Sequence, residues 1–363
     1  MLGRYDKKYK FKSMFNPDTG FYMRTGILDE NGYDTGKDPF MSSFPELIDV
    51  GIMGHCLHGK MGLCLKAGIE CYQNGRVIYQ DDMSLEDFNT IVEECKGKTY
   101  QFALGGRGDP DQHKHFEEIL RLCRENNIVP NFTTSGLGLT EDKVSLCKKY
   151  CGAVAVSFYR NTYTYSAIES LIKKGVKTNI HYVLSNRTID EAIERLENNT
   201  FPKSINAVIF LLHKPIGLGN KSNVLQYEDE KVKHFFKIIN ECKFSFKIGF
   251  DSCTIPAIIN FTDNIEEVSI DSCEGARWSM YITPNMIALP CSFDNQDLRW
   301  GYDLRGSTIE AAWNSEVFED FRNNLRYSCP ECSKRELCLG GCPISREIIL
   351  CNSSKKCLFK SKF

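Results

Sequence analysis

Pro45-Glu-Leu-Ile-Asp-Val-Gly-Ile-Met-Gly-His-Cys56 decides how this chain is read; Cys64 and Cys71 follow, giving the spacing C-x7-C-x6-C. Residues 47–53 are an apolar run that stops at Gly54, and a short run bounded in this way reads as a buried strand. A strand that hands thiols to the loop at its C-terminal end predicts a metal site at the mouth of an α/β barrel. Two metals compete for the three thiols. Structural zinc prefers four closely paired ligands. A [4Fe–4S] cluster on three thiolates leaves one iron open to a small chelating ligand.

The composition narrows the class. The chain has 363 residues, 42% hydrophobic and 25% charged, as an ordinary globular protein of one large or two smaller domains has. A net charge of −2 without a basic block gives no attraction to nucleic acid or an anionic membrane, so neither is expected as a partner. The first dozen residues are charged, with no apolar signal-peptide core, and no apolar run reaches the ~18 residues of a membrane span. The expected location is cytoplasmic. In a reducing compartment the 17 cysteines are not read as disulfides. Cys95, Cys123, Cys147, Cys151 and Cys242 fall mostly in helical patterns, where a thiol acts as a small hydrophobe.

Strand and helix patterns alternate from residue 47. Strands are expected at 47–53, 100–104, 129–133, 153–158, 178–184 and 207–212, with capping boxes at Ser84-Leu-Glu-Asp87 and Thr188-Ile-Asp-Glu191. This alternation predicts a parallel sheet with crossover helices. Six such units make an incomplete barrel, open on one side to a large substrate. Before it, residues 1–45 hold two turn signals, Asn16-Pro-Asp-Thr-Gly20 and Asp29-Glu-Asn-Gly32, and read as a hairpin extension. After the barrel, 46–245, the texture becomes turn-rich and cysteine-rich over 246–363.

The predicted strand ends carry small polar groups. Leu104-Gly-Gly-Arg-Gly-Asp-Pro110 is either a tight turn or a bare backbone edge for a ligand. Thr133-Thr-Ser-Gly136, Ser157, His181 and Lys214-Pro-Ile-Gly-Leu-Gly219 continue the rim; taken singly, each reads as a cap, a turn or a core residue. The C-terminal spacing Cys329-x2-Cys332-x5-Cys338-x3-Cys342, with Cys273 and Cys291 before it and Cys351 and Cys357 after it, marks a second metal region. Zinc competes there too, but the cysteine count supplies nearly two four-ligand sites and favours iron–sulfur.

These residues resemble the radical SAM enzymes with a C-terminal SPASM domain, over about residues 46–360. Gly106-Arg-Gly-Asp-Pro110 is similar to the family's Gly-Gly-Gly-Glu-Pro segment, with Asp109 in place of Glu. Thr134-Ser-Gly136 resembles its Thr-Asn-Gly, Ser157 its fourth-strand polar residue, and residues 302–314, with Trp313, its bridge between cysteine groups. The family's cluster motif is C-x3-C-x2-C, so the spacing here implies an expanded loop. The resemblance implies a partial (β/α)6 TIM-like barrel with a mostly irregular iron–sulfur domain. It implies three [4Fe–4S] clusters: one that binds S-adenosyl-L-methionine, on Cys56, Cys64 and Cys71, and two auxiliary clusters. Cys329, Cys332, Cys338 and Cys357 are assigned to one auxiliary cluster, with Cys351 competing for the last place. Cys273, Cys291 and Cys342 are assigned to the other, with Cys253 as candidate fourth ligand. S-adenosylmethionine would lie against Gly106, Gly108, Asp109, Thr134, Ser135, Ser157 and His181. The implied activity is reductive cleavage of S-adenosylmethionine to a 5′-deoxyadenosyl radical that takes hydrogen from a ribosomally made peptide, oxidising or cross-linking it through a thioether or carbon–carbon bond. Implied partners are that peptide, an external electron donor of flavodoxin or ferredoxin type, and a separate leader-peptide recognition protein. A small molecule or folded protein as substrate, or a zinc-stabilised binding module, are the competing functions. No catalytic acid or base is assigned.

Overall fold

Side-chain alternation along the strands sets which residues enter the core and which face the site. The computed structural model describes residues 1–351 apart from 264, 266–268, 328, 330, 331 and 349; Cys357 lies outside the described residues. The N-terminal segment is a three-stranded antiparallel sheet of β1 (Leu2–Asp6), β2 (Phe11–Phe15) and β3 (Tyr22–Arg24), one strand more than a hairpin. Phe11 and Phe15 point inward from β2, edge-on to Trp278 at 5.5 Å and tilted against Tyr100 at 5.3 Å. The sheet therefore lies on the barrel, as the hairpin reading expected.

The main sheet has ten strands. Six match the sequence reading: β4 (Leu47–Met53), β5 (Gln101–Gly106), β6 (Val129–Thr134), β7 (Val154–Ser157), β8 (Thr178–Leu184) and β9 (Ala207–Leu212). They are parallel neighbours in chain order. Two further parallel strands extend the sheet, β10 (Lys247–Phe250) beside β9 and β11 (Ser279–Ile282) beside β4. Antiparallel β12 (Ile287–Leu289) and β13 (Tyr302–Asp303) follow β11 at that edge. The sheet thus continues past residue 245. β10 escapes sequence pattern because Lys247-Ile-Gly-Phe250 is four residues with a glycine inside. The order β10-β9-β8-β7-β6-β5-β4-β11-β12-β13 leaves two free edges, so the barrel is open.

Helices cover the outer face: α1 (Leu57–Lys60) and α2 (Leu63–Lys66) at the mouth, then α3 (Leu85–Cys95), α4 (Phe116–Glu125), α5 (Glu141–Tyr150), α6 (Thr162–Lys173), α7 (Ile189–Glu197) and α8 (Glu230–Glu241). Ile48, Val50 and Ile52 point outward to a core shared with Phe88, Ile91 and Val92 of α3, all fully buried. Each such side chain is worth about 2 kcal/mol of burial. Cys95, Cys123 and Cys147 sit in this layer on α3, α4 and α5, while Cys242, just past α8, is exposed. Asp49 and Gly51 fall on the opposite, inner face, with Ala103 and Gly105 of β5, Asn131 and Thr133 of β6, Ser157 of β7 and His181 of β8.

Ser84 caps α3 as expected, its hydroxyl accepting from the Asp87 amide at 3.0 Å. Thr188 does not cap α7. Its hydroxyl donates to the Val183 carbonyl and accepts from the Ser185 amide, closing the turn after β8 instead. No helix among the described residues is long and apolar enough to cross a membrane.

Candidate functional site

The loop after β4 folds into two short helical turns. Cys56 precedes α1, and its sulfur accepts the Gly59 amide at 3.0 Å. Gly62, at φ +67°, turns the chain into α2, which carries the buried Cys64. Asp82 fastens the loop's entry, accepting from the Gly54 amide at 2.8 Å and meeting His55 at 3.0 Å. The exit is pinned by Glu70, which accepts from the Asn220 amide and the Asn223 side chain, and by the Leu218 amide donating to the Cys71 carbonyl. Cys56, Cys64, Cys71 and Asp109 all lie close enough to the buried Tyr159 hydroxyl to raise its pKa, after burial itself. His58 stacks on the same ring at 4.3 Å. Burial, with Asp109 and the two other thiols, pushes the Cys56 thiol up to about 12. Arg76 acts on Cys64 and Arg107 on Cys71, so two arginines offset part of the charge these groups would carry.

The glycines after β5 are required by close packing. A Cβ on Gly106, at φ +109°, would lie 2.3 Å from the Met53 carbonyl oxygen, and one on Gly108 would lie 2.2 Å from that of His55. The chain itself fills both places. Gly105 is the one that faces open space. Gly75 backs the first thiol, a Cβ there falling 2.9 Å from that of Cys56.

Asp109 and Ser135 form a unit: the carboxylate accepts from the Ser135 amide at 2.7 Å and from its hydroxyl at 2.5 Å. Burial, then the neighbouring Asp111, pushes Asp109 up to about 7. Thr134 is fully buried, its hydroxyl accepting from the Gly136 amide, so its side chain is not on the rim; β-strand alternation puts Thr133 there. Thr133 meets His181 Nδ1 at 3.2 Å, and burial lowers His181 to about 4, so the imidazole is neutral. Ser157 stands beside His181 in register. Next to the loop a cavity of about 470 Å3 is lined by Lys66, Tyr159, Arg160, Arg187 and Thr188 among others, a cationic wall suited to a carboxylate. Arg160 is held there by Glu191 at 2.5 Å. No motif pointed to these residues; their spacing is ordinary and only the fold gathers them.

The second cysteine region lies across from the loop. Cys253, after β10, shares a thiol hydrogen bond with Cys342 and neighbours Cys273, which in turn neighbours Cys291. Cys273, Cys291 and Cys342 take amides of Gly275, Phe293 and Ser345. Lys214 is buried beside them, bound to Asp251 at 2.5 Å and 4.3 Å above the Phe293 ring. Cys338 takes the Gly340 and Gly341 amides and neighbours Cys332 and Cys351. The two regions touch: Tyr72 packs on Phe293 at 4.4 Å, and Asn295 donates to Gln73 at 2.6 Å. Among the described residues no three His, Cys, Asp or Glu side chains are set to hold one metal ion.

Residues 273–335 match the model of the SPASM iron–sulfur cluster-binding domain. No curated protein matches the sequence. Among solved structures, SuiB of Streptococcus suis superposes with a TM-score of 0.67 at 14% identity, over 96% of this chain and 98% of that one. SuiB bound to its precursor peptide SuiA gives 0.62 at 15% identity, over 90% and 84%. The anSMEcpe protein with bound AdoMet gives 0.56 at 15% identity, over 85% and 93%. At such identities the fold is what is shared. The chain therefore shares the fold of SuiB and anSMEcpe, an open barrel of parallel strands, and its residues 273–335 match a SPASM iron–sulfur cluster-binding domain.

Proposed function

We propose that this chain is a radical SAM enzyme that modifies a ribosomally made peptide. One observation carries the reading: Cys56, Cys64, Cys71 and Asp109 converge on Tyr159 at the C-terminal mouth of the parallel sheet. The donor set fits a cluster. Three thiols lie near one another with an amide already on one sulfur, and Arg76 and Arg107 would offset only part of the charge of three thiolates, so the cluster's own iron would supply the rest. A [4Fe–4S] cluster with chelated S-adenosylmethionine would supply the reductive cleavage that yields the 5′-deoxyadenosyl radical.

The chain's own groups position and shield. Asp109, held by Ser135 on both oxygens, would accept a further hydrogen bond from the methionine amine, with the backbone of Gly106 and Gly108 beside it. The Arg160 and Arg187 wall suits the carboxylate. Ser157 and the Thr133–His181 pair offer hydrogen bonds to a ribose; Thr134 and Ser135 shape the turn beneath. Cys253, Cys273, Cys291 and Cys342 would hold one auxiliary [4Fe–4S] cluster, and Cys329, Cys332 and Cys338 with Cys357 the other. The peptide substrate is supported by the structures of SuiB with precursor peptide and of anSMEcpe with the Cp18Cys peptide. A flavodoxin or ferredoxin would deliver the electron, and a separate protein would recognise the leader.

The test is anaerobic reconstitution followed by chromatography for 5′-deoxyadenosine under dithionite. The wild type should form it and bind about 12 irons, four per cluster. A colourless protein without iron, or no cleavage of S-adenosylmethionine, sinks the reading.

A further inference from the structure

β4 is apolar except for Asp49, and that one carboxylate faces inward. Ile48 and Val50 on either side of it are wholly buried in the outer core. Asp49 makes no hydrogen bond or ion pair with any described residue; burial alone acts on it. The Asp49 side chain is only partly buried, between the wholly buried Ile48 and Val50, so its carboxylate stays open to the barrel interior with no cation pairing it.

Its surroundings point the same way. Tyr281 on β11 is its direct cross-strand partner, so both side chains stand on the inner face. The Tyr281 residue is 2% exposed, and its hydroxyl makes no well-formed hydrogen bond among the described residues, with the Gln73 side chain alongside it. It leans over the next inner position of β4: a Cβ on Gly51 would collide with that hydroxyl. Any other residue at 51 would displace the ring. On the other flank the partner of Asp49 is Ala103, too small to reach it. Tyr72 and Glu274 are the other titratable groups close enough to feel the Asp49 charge. One is aromatic and the other a second carboxyl. No lysine or arginine among the described residues acts on Asp49, although the Arg107 guanidinium is close enough to act on Tyr281.

We propose that Asp49 and Tyr281 form a subsite on the inner wall of the barrel that receives a cationic side chain of the substrate, an alkylammonium of lysine type. The carboxylate takes the ammonium as an ion pair, the Tyr281 hydroxyl adds an oxygen acceptor, and the aromatic wall accepts the methylene stem. The proposal deepens the peptide reading above and rests on it.

The test uses reconstituted holoenzyme with S-adenosylmethionine present. Two probes are compared by titration calorimetry, Nα-acetyl-lysine methylamide and its uncharged analogue Nα-acetyl-norleucine methylamide. The lysine probe should bind about tenfold more tightly, as a partly desolvated ion pair provides. Asp49→Asn should bring the two within about twofold of each other. Ala103→Lys should do the same without touching Asp49, because a lysine directly opposite occupies the carboxylate itself. Equal binding of both probes to the wild type overturns the proposal, and so does a preference that survives in either variant that folds. Formation of 5′-deoxyadenosine by the same wild-type preparation is read in parallel; its absence would fault the enzyme reading instead of the subsite.

Discussion

The two cysteine regions are built by opposite means. The loop after β4 gathers Cys56, Cys64 and Cys71 from 16 consecutive residues and braces them from beneath, with Gly75, Gly106 and Gly108 allowing backbone to press on backbone. Cys253, Cys273, Cys291 and Cys342 come from four separate places: just past β10, the approach to β11, just past β12 and the segment after the short helix Arg335–Cys338. The first site is complete once β4 and β5 pair. The second closes only when both edges of the sheet are in place, so its metal and its fold depend on each other more strongly.

Substitution of the thiols should separate the regions most sharply. Replacing Cys56, Cys64 and Cys71 together with Ala is expected to abolish 5′-deoxyadenosine while about two thirds of the iron remains. Cys338→Ala should also lose about a third of the iron, yet still form 5′-deoxyadenosine and little modified peptide. It should also be the less stable protein in a thermal melt. If the triple variant still cleaves S-adenosylmethionine, the widely spaced triad is not the cluster site. Conversely, a Cys338→Ala protein that melts with the wild type would show that the second region does not need its metal to fold.

Gly106→Val probes the bracing of the first region. The substitution puts a β-branched residue at φ +109° and a Cβ against the Met53 carbonyl. The combined strain and overpacking should cost on the order of 4 kcal/mol. Because the same contact holds the entry to the cysteine loop, iron at that site should fall as well. A variant with unchanged melting temperature and full iron would mean that the turn relaxes freely.

Much of the barrel was legible in the sequence because β9 is an unbroken apolar run, β4 is apolar but for Asp49, and β8 alternates buried with half-buried residues, each ending near turn residues. β10 and β11 were not, being four residues each and paired only through tertiary contacts. Cysteine spacing pointed to both cysteine regions as candidate metal sites, since ligand chemistry is written in residue type. The same spacing could not show which face of a strand a residue occupies. Thr133 and Thr134 were both expected on the rim, and strand alternation puts Thr133 there and Thr134 on the opposite, buried face. Gly106 and Gly108 were expected to open space for a ligand, yet the chain's own carbonyls fill it and Gly105 is the open one. Asp49 was visible all along inside the apolar run, but only the register with Tyr281 shows that it lacks a partner.

The smallest effect compares two carboxylates, Glu70 bracing the cysteine loop and Asp49 on the inner wall. Burial opposes the Glu70 charge, but the Asn220 amide and Asn223 side chain overcome it and hold the group below its usual range. Its contribution is therefore fully present above about pH 4.5 and is lost only as pH falls through the lower folded value. Glu70→Ala should cost about 2 kcal/mol, the loss of charge-assisted hydrogen bonds, and the cost should be constant from about pH 5.5 to 8.5. Asp49 behaves oppositely. Burial raises it to about 7 from an ordinary 3.8, so the folded chain keeps the proton that the unfolded chain gives up. Tyr72, Tyr281 and Glu274, the groups facing it, provide no positive charge to reverse the sign. The native state is therefore penalised increasingly as pH rises from about 4 to 7, and uniformly above that. Asp49→Asn should stabilise the protein by on the order of 1 kcal/mol or more at pH 8, one pKa unit being worth about 1.4 kcal/mol, and the gain should shrink toward pH 5.5. Thermal melts of both variants against the wild type across this range read the two slopes together. A flat Asp49→Asn difference would mean that water or an ion already satisfies the carboxylate, and the inner wall would then have no vacancy for a substrate cation.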